Sequence, residues 1–355
     1  MTTALRLCML PLAWVFSAVV RVRRTLYARG FLRRQSVTTP TVSVGSLHAG
    51  GMGKTPIAGY LLAFCGDTGL KPALLSRGYG RQSQGLRDAT SEALRAPSDI
   101  GDEPAMLLEA MPTLDVVVSE NRFEGAQHLE SRQAPDVIVL DDAFSHLSFA
   151  TDLEFIVIPA DPLAWYESVS LPVGTLREPW QAQSLATRSL YWFHAREGAA
   201  NSSRFAPHVR QIWNQVPETQ RILTGTTVSV VESWGGKSPH HGDVLWLSAG
   251  IARPKAFEAS VREAGFSVAG TSWFRDHHTW TEHEFERCLS RASSAGATLS
   301  VTSKDAVKLR RFKDILGDRR VAVFRPTLSW VFGESLVADA FRTLVPSARS
   351  PNKKR

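Results

Sequence analysis

Cysteine is scarce and scattered in this 355-residue chain: Cys8, Cys65 and Cys288 are its three copies, and they form no C-x-x-C pair. That spacing speaks against a disulfide framework and a cysteine-based zinc site, and it points to a reducing compartment. Long apolar runs are lacking as well. The N-terminal one, residues 7–20, has 14 positions and is interrupted by Pro11, whereas a membrane span needs about 20. Acidic residues are absent from residues 1–35, which carry seven arginines (Arg6, Arg21, Arg23, Arg24, Arg29, Arg33, Arg34). No internal repeat is evident. With seven of the 41 basic residues placed there, the 34 that remain match the 34 acidic ones. The last seven residues hold four more positive charges. The body between the two ends is therefore mildly acidic, which argues against a general nucleic-acid binder.

A signal peptide would show small residues for cleavage after its apolar core, and here arginines follow instead. An apolar stretch containing Trp14 and Phe16 beside arginines suits insertion into one leaflet, with the charges on anionic headgroups of the cytoplasmic side. The alternative is a helix packed on the protein's own core.

The stretch around which the chain is organised is residues 42–56, VSVGSLHAGGMGKTP. A β-branched run ends at Gly45, glycines follow, and Lys54-Thr55 opens an amphipathic segment over residues 57–64. Strand, glycine loop and helix in that order suit a nucleotide phosphate. Glycine backbone N–H groups can approach phosphate oxygens, and the helix N-terminus adds partial positive charge. The lysine reaches the outer phosphates and the Thr55 hydroxyl can bind Mg²⁺. The P-loop pattern G-x-x-x-x-G-K-[ST] is incomplete, because His48 stands where its first glycine belongs. The plainer alternative is a glycine-rich turn before a lysine.

Further apolar runs of strand length occur at residues 72–76, 115–119, 136–140 and 153–158. Helical segments are predicted at 101–111 and 123–131. Residues 82–100 read as a long loop, 161–188 as loop-rich, and 195–240 as polar with a strand at 226–231. A second alternation follows: strand 244–248, helix 254–263, a strand end at 273–278, helix 281–294, and strands 299–302 and 321–324. Such alternation predicts a parallel α/β sheet with helices on both faces and ligands at the carboxyl ends of the strands. The P-loop, Arg77, Asp102-Glu103 and Asp141-Asp142 all fall at that end.

Asp141-Asp142 closes a buried-type strand, as in a Walker B strand whose carboxylate meets the Mg²⁺. A helix N-cap is the other reading. Asp102-Glu103 before Pro104 reads, taken alone, as a cap and first turn. Glu178 is weak alone. For Asp276-His277-His278 the spacing favours a turn, since adjacent histidines on a strand point to opposite faces.

Taken together, Gly50-Gly51-Met52-Gly53-Lys54-Thr55-Pro56, Ser76-Arg77-Gly78-Tyr79-Gly80, Gly101-Asp102-Glu103-Pro104, Asp141-Asp142-Ala143-Phe144-Ser145-His146, Leu176-Arg177-Glu178-Pro179, Gly250-Ile251-Ala252-Arg253-Pro254, Asp276-His277 and Lys304-Asp305 resemble, in this order, the lipid A 4′-kinase family. The N-terminal Leu-Pro-Leu-x-Trp followed by arginines is similar too.

The resemblance implies a kinase that uses ATP and Mg²⁺ to phosphorylate the 4′-hydroxyl of a membrane-bound tetraacyl-disaccharide 1-phosphate. It implies a P-loop NTPase-type parallel sheet domain, a second, smaller α/β domain and an N-terminal membrane-associated helix. The expected boundaries are 1–36 for the membrane segment, 37–220 for the kinase domain, 221–345 for the second domain and 346–355 for a disordered basic tail. A monomer at the cytoplasmic face of the bacterial inner membrane, peripheral on its anionic surface, is expected.

By resemblance Lys54 stabilises the β/γ-phosphates and residues 50–55 cradle the nucleotide. Asp102 is the base, paired with His277, which reverses both isolated readings. Thr55, Glu103, Asp141, Asp142 and Glu178 surround the metal and phosphates. Arg77 and Arg122 are candidates for the substrate's 1-phosphate. The chain departs from the family pattern at Ser46, Met52, Ala143, Ser145, Thr175 and Ser303. The rival readings are a membrane-associated P-loop ATPase switch without an acceptor base, and a nucleotide-binding scaffold without catalysis.

Overall fold

The computed structural model describes residues 3–89, 96–161, 164–180, 184–195 and 200–346; the expected disordered tail lies almost wholly outside them. The chain opens with helices α1 (Thr3–Cys8) and α2 (Leu10–Ala28). Next come β1 (Thr41–Ser46), α3 (Lys54–Asp67), β2 (Pro72–Ser76), β3 (Arg87–Asp88), α4 (Pro97–Ile100) and α5 (Asp102–Ala110). They are followed by β4 (Asp115–Val118), α6 (Arg122–Gln133), β5 (Val137–Asp141), β6 (Leu153–Pro159), β7 (Arg188–His194) and α7 (Pro207–Gln215). The remainder holds β8 (Arg221–Trp234), β9 (Val244–Ala249), α8 (Pro254–Glu263), β10 (Ser267–Trp273) and α9 (Glu282–Ser294). It closes with β11 (Thr298–Thr302), α10 (Ser303–Leu309), β12 (Val321–Phe332) and α11 (Glu334–Leu344).

The strands form one 12-stranded sheet in the order β10-β9-β11-β12-β8-β7-β6-β1-β5-β2-β4-β3. Pairing is parallel on either side of a single long antiparallel ribbon, β8 with β12, and at the edge β3 runs antiparallel to β4. The parallel strands read as apolar runs because both faces are covered. Along β5, Val137 and Val139 enter one core while Ile138 and Leu140 enter the core on the other face. The β8–β12 ribbon is different. Its middle alternates exposed and half-buried positions, so the sequence signal was short, and both strands run well beyond the expected 226–231 and 321–324.

The expected boundary near residue 220 falls at the start of β8, and the hydrogen-bonded sheet runs through it without a break. α11 returns to the first half, where Val337, Ala340 and Phe341 share a core with α3 and α5. Within the loop expected at 82–100 lie β3 and α4.

The N-terminal helices carry their apolar side outward. Ala13 and Arg24 are buried at 1% and 7% exposure, whereas Trp14, Val15, Val19, Val22 and Phe31 are 60–73% exposed. No helix among the described residues is long and apolar enough to cross a membrane.

Candidate active site

β1 ends at Ser46, and the chain turns through residues 47–53 into α3. Gly53 holds φ +77°, and a Cβ there would stand 2.3 Å from the His194 ring. Only glycine allows this turn together with that approach. Gly50 also has positive φ, +91°. The Met52 side chain is buried in the core with Ile57, so the missing loop hydroxyl is replaced by packing while the backbone stays in the loop. The P-loop is braced by a short backbone ladder: Ala49 N–H donates to Thr175 O at 2.7 Å, and Arg177 N–H to Leu47 O at 2.8 Å.

Lys54, the first residue of α3, is buried at 9% exposure. Its Nζ lies 3.3 Å from Asp142 Oδ1. Asp142 is gripped from the other side by Arg177, with Nη2–Oδ1 2.6 Å and Nη1–Oδ2 3.2 Å. Burial pushes the Asp142 pKa up most strongly, yet Lys54 and Arg177 together hold it below the ordinary value. No helix starts at Asp141-Asp142, so the capping alternative does not apply; the turn takes its positive φ, +53°, at Asp142 and not at Ala143.

Asp141 ends β5 and is buried. Its Oδ1 has no hydrogen-bond partner among the described residues. Burial first, then the charge of Asp142, raises its pKa to about 7.

Across the site stands a second cluster. Gly101, with φ +93°, is the N-cap of α5, and Asp102 is its first helical residue. The Asp102 carboxylate does not cap. Its Oδ2 receives His277 Nδ1 at 3.1 Å and Lys308 Nζ at 3.0 Å. His277 lies beyond the end of β10 in a turn, at φ +58°. Its backbone is a turn, and its side chain lies against Asp102. Lys304 Nζ contacts His277 Nε2 at 3.2 Å and Glu103 Oε1 at 3.0 Å. An ammonium only donates, so the neutral ring bears its proton on Nδ1 and directs it at Asp102.

Burial is the strongest influence on Asp102 and acts upward, but His277, Lys308 and Lys304 bring its pKa below the usual range. The bond to Asp102 raises that of His277 against burial and Lys304. A cleft of about 1060 Å³ opens beside this cluster, with Asp102, His277, Lys308, Leu108, Trp280 and Arg325 in its walls.

The remaining expected residues divide. Arg77 is exposed after β2. Arg122 opens α6 and is buried at 2%, with Nη1 donating to Ser119 O. Burial lowers its pKa to about 10 against the pull of Asp141 and Asp142. Glu178 is buried at 2% and its Oε2 accepts from Arg24 Nη1 of α2 at 3.0 Å. Sequence reasoning passed over Lys304, Lys308, Arg177 and Arg24 as site residues. For Arg177 and Lys304 their places inside the quoted motifs were a usable signal; Arg24 stood unmarked among the N-terminal arginines, and for Lys308 there was no signal.

A family model described as Tetraacyldisaccharide-1-P 4'-kinase matches residues 5–343. The tetraacyldisaccharide 4'-kinase of Chlorobium luteolum is 34% identical over 320 residues, covering 86% of this chain and 87% of its own. That of Geobacter metallireducens is 32% identical over 323 residues, covering 88% and 91%. Among solved structures, the "apo" form LpxK from Aquifex aeolicus in complex with ATP is similar in fold, with a TM-score of 0.68 at 24% identity over 96% of this chain and 99% of that one. On the extent of the family match and of these relatives, the chain belongs to the tetraacyldisaccharide-1-P 4'-kinase family.

Proposed function

We propose that this kinase transfers the γ-phosphoryl group of ATP to the 4′-hydroxyl of a tetraacyl-disaccharide 1-phosphate, with Asp102 as the base. The observation that carries the reading is the Asp102–His277 pair, 175 positions apart in sequence, facing a P-loop lysine that is itself paired with a strand-end aspartate. A switch ATPase needs the second of these and has no use for the first.

The chemistry follows from the charges. A sugar hydroxyl is a weak nucleophile. Asp102 accepts its proton as the new O–P bond forms and the bond from Pγ to the β-phosphate oxygen breaks, releasing ADP. His277 and Lys308 occupy Oδ2, which leaves Oδ1 for the hydroxyl among the described residues. Lys54 stabilises the β/γ-phosphates, with the backbone of residues 50–55 around them.

The donor set fits a nucleotide-bound Mg²⁺ and no all-protein metal cage. Asp141 Oδ1 is a buried oxygen without a partner, and no group of three or more ligating side chains occurs among the described residues. Thr55, Asp141 and Asp142 would hold the ion, directly or through its waters, with Glu103 and Glu178 around it. When bound it would supply charge neutralisation at the phosphates. Arg77 and Arg122 are assigned to the substrate's 1-phosphate.

The chain divides into a segment 1–36, a kinase lobe 37–220 and a second lobe 221–345, and approach of the lobes brings His277 to Asp102 and so assembles the base. The outward apolar side of α1 and α2, flanked by arginines, suits the anionic inner-membrane surface at its cytoplasmic face, where a monomer meets its glycolipid.

Labelled γ-phosphate from Mg-ATP, detergent-dispersed tetraacyl-disaccharide 1-phosphate and identification of a 1,4′-bisphosphate test the reading. Hydrolysis of ATP to free phosphate, with no lipid product, would favour the switch.

A further inference from the structure

We propose that Arg24 is a positioning residue for phosphoryl transfer, held to the site by the N-terminal helix, so that the helix completes the active site as well as anchoring the protein. The inference rests on the reading above.

A helix that only anchors has no reason to bury an arginine. Arg24 is 7% exposed, on a helix whose other arginines, Arg21 and Arg23, are exposed. Among the described residues its guanidinium contacts Glu178 and Phe144. Nη1 donates to Glu178 Oε2 at 3.0 Å, and Cζ lies 4.6 Å from the centroid of the Phe144 ring.

Both partners lead straight to phosphate-side residues. Glu178 follows Arg177, whose guanidinium grips Asp142, and Glu178 N–H bonds to Leu47 O at the start of the P-loop. The whole segment 175–178 runs along residues 47–49 as a backbone ladder. Phe144 lies two residues after Asp142, pressed against Gly45, where an added Cβ would stand 2.4 Å from the Phe144 Cβ. Arg24 thus joins the two loops that carry Asp142 and its partner Arg177.

Other side chains of the helix seat it on the same two loops. Ser17 Oγ donates to Ser170 Oγ at 2.7 Å, and Arg23 Nη2 to Ser145 O at 3.4 Å. With Arg24 removed, the buried Glu178 carboxylate loses that ion pair, and its chain neighbour Arg177 is already committed to Asp142. Competition there would disturb the nucleotide end of the site and leave the acceptor end alone.

The test compares Arg24→Met and Arg24→Lys, each alone and combined with Glu178→Gln, in the full chain. Expected for R24M are a fall in kcat of more than tenfold, an unchanged KM for the lipid and unchanged partition onto vesicles of phosphatidylglycerol and phosphatidylethanolamine. R24K recovers part of the loss, and in the E178Q background R24M costs nothing further. A second readout is thermal: the extra stabilisation by ATP with Mg²⁺ over ATP in EDTA shrinks in R24M. If R24M fails to fold, R24K and the double variant make the same comparison.

Near-normal kcat in R24M, full additivity with E178Q, or a loss matched by lost vesicle binding would overturn the inference. An inactive wild type would instead overturn the kinase reading on which it rests.

Discussion

Lys308 and His277 donate to one oxygen of Asp102, and that arrangement sets both its charge and its direction. The pKa of Asp102 lies below the usual carboxylate range, so the acid limb of kcat/KM is expected at low pH. Replacing His277 with Asn removes one stabilising bond. It is expected to shift that limb upward and to lower the plateau rate by about 10²-fold or more.

The linked stability follows the same signs. The Asp102 contribution is present above its unfolded pKa and is lost as pH falls through the folded value. The His277 contribution is complete below its unfolded pKa and is lost as pH rises through the raised one. Asp141 runs the other way. Its pKa is raised to about 7, so the group weakens the nucleotide-free fold increasingly as pH rises from its unfolded value of about 4 to about 7, and by a constant amount above that. Asp141→Asn is therefore expected to melt higher than wild type at pH 8, by at least about 1 kcal/mol in stability, with the gap closing only as pH falls below about 4. Calorimetric unfolding at pH 8 and at the acid end checks it, and equal stabilities at pH 8 would contradict it. Residue types at this scale were legible wherever chemistry is concentrated in a short motif. Lys308 was not, because a lysine on a helix has no local mark that separates a solvated residue from one paired 206 positions away.

Among the elements, the P-loop turn and α11 show what sequence pattern does and does not carry. Strand, glycines and Lys-Thr gave the turn directly. Gly53→Ala is expected to weaken nucleotide binding at least tenfold, since the left-handed backbone and the His194 contact both oppose a Cβ. Isothermal titration with ADP measures it. α11 escaped notice because its partner lies far away in sequence: Phe341 packs on Phe64 of α3 at 5.3 Å between ring centroids. Phe341→Ala is expected to cost about 3–5 kcal/mol, read from the denaturation midpoint, and an effect under 1 kcal/mol would show that the helix is merely laid against the core. β7 was passed over for a related reason. Its buried Trp192 and Phe193 lie between two stretches of loop-like composition.

At the scale of the molecule, one sheet carries both halves of the site, and the β8–β12 ribbon joins them. The parallel α/β class was readable from alternation alone. The continuity of the sheet was not, because the ribbon is half-exposed and lacks an apolar run. The outward apolar side of the N-terminal helices was visible in composition, but its direction required knowing that Ala13 and Arg24 face inward. Replacing Leu12, Trp14 and Val19 together with serine is expected to lower partition onto anionic vesicles by more than tenfold. The same variant should keep its activity on detergent-dispersed substrate. Flotation and a parallel kinase assay separate the two outcomes.

The central claim is that Asp102 and His277, brought from opposite halves of the chain, act as one catalytic unit. A double-mutant cycle tests it most directly: single-turnover transfer from Mg-ATP by wild type, Asp102→Ala, His277→Ala and the double variant, with folding checked by thermal melts. The predicted result is a large loss in each single variant and little further loss in the double, because the residues work as a pair. Losses that multiply, or a His277→Ala enzyme as fast as wild type, would contradict the claim.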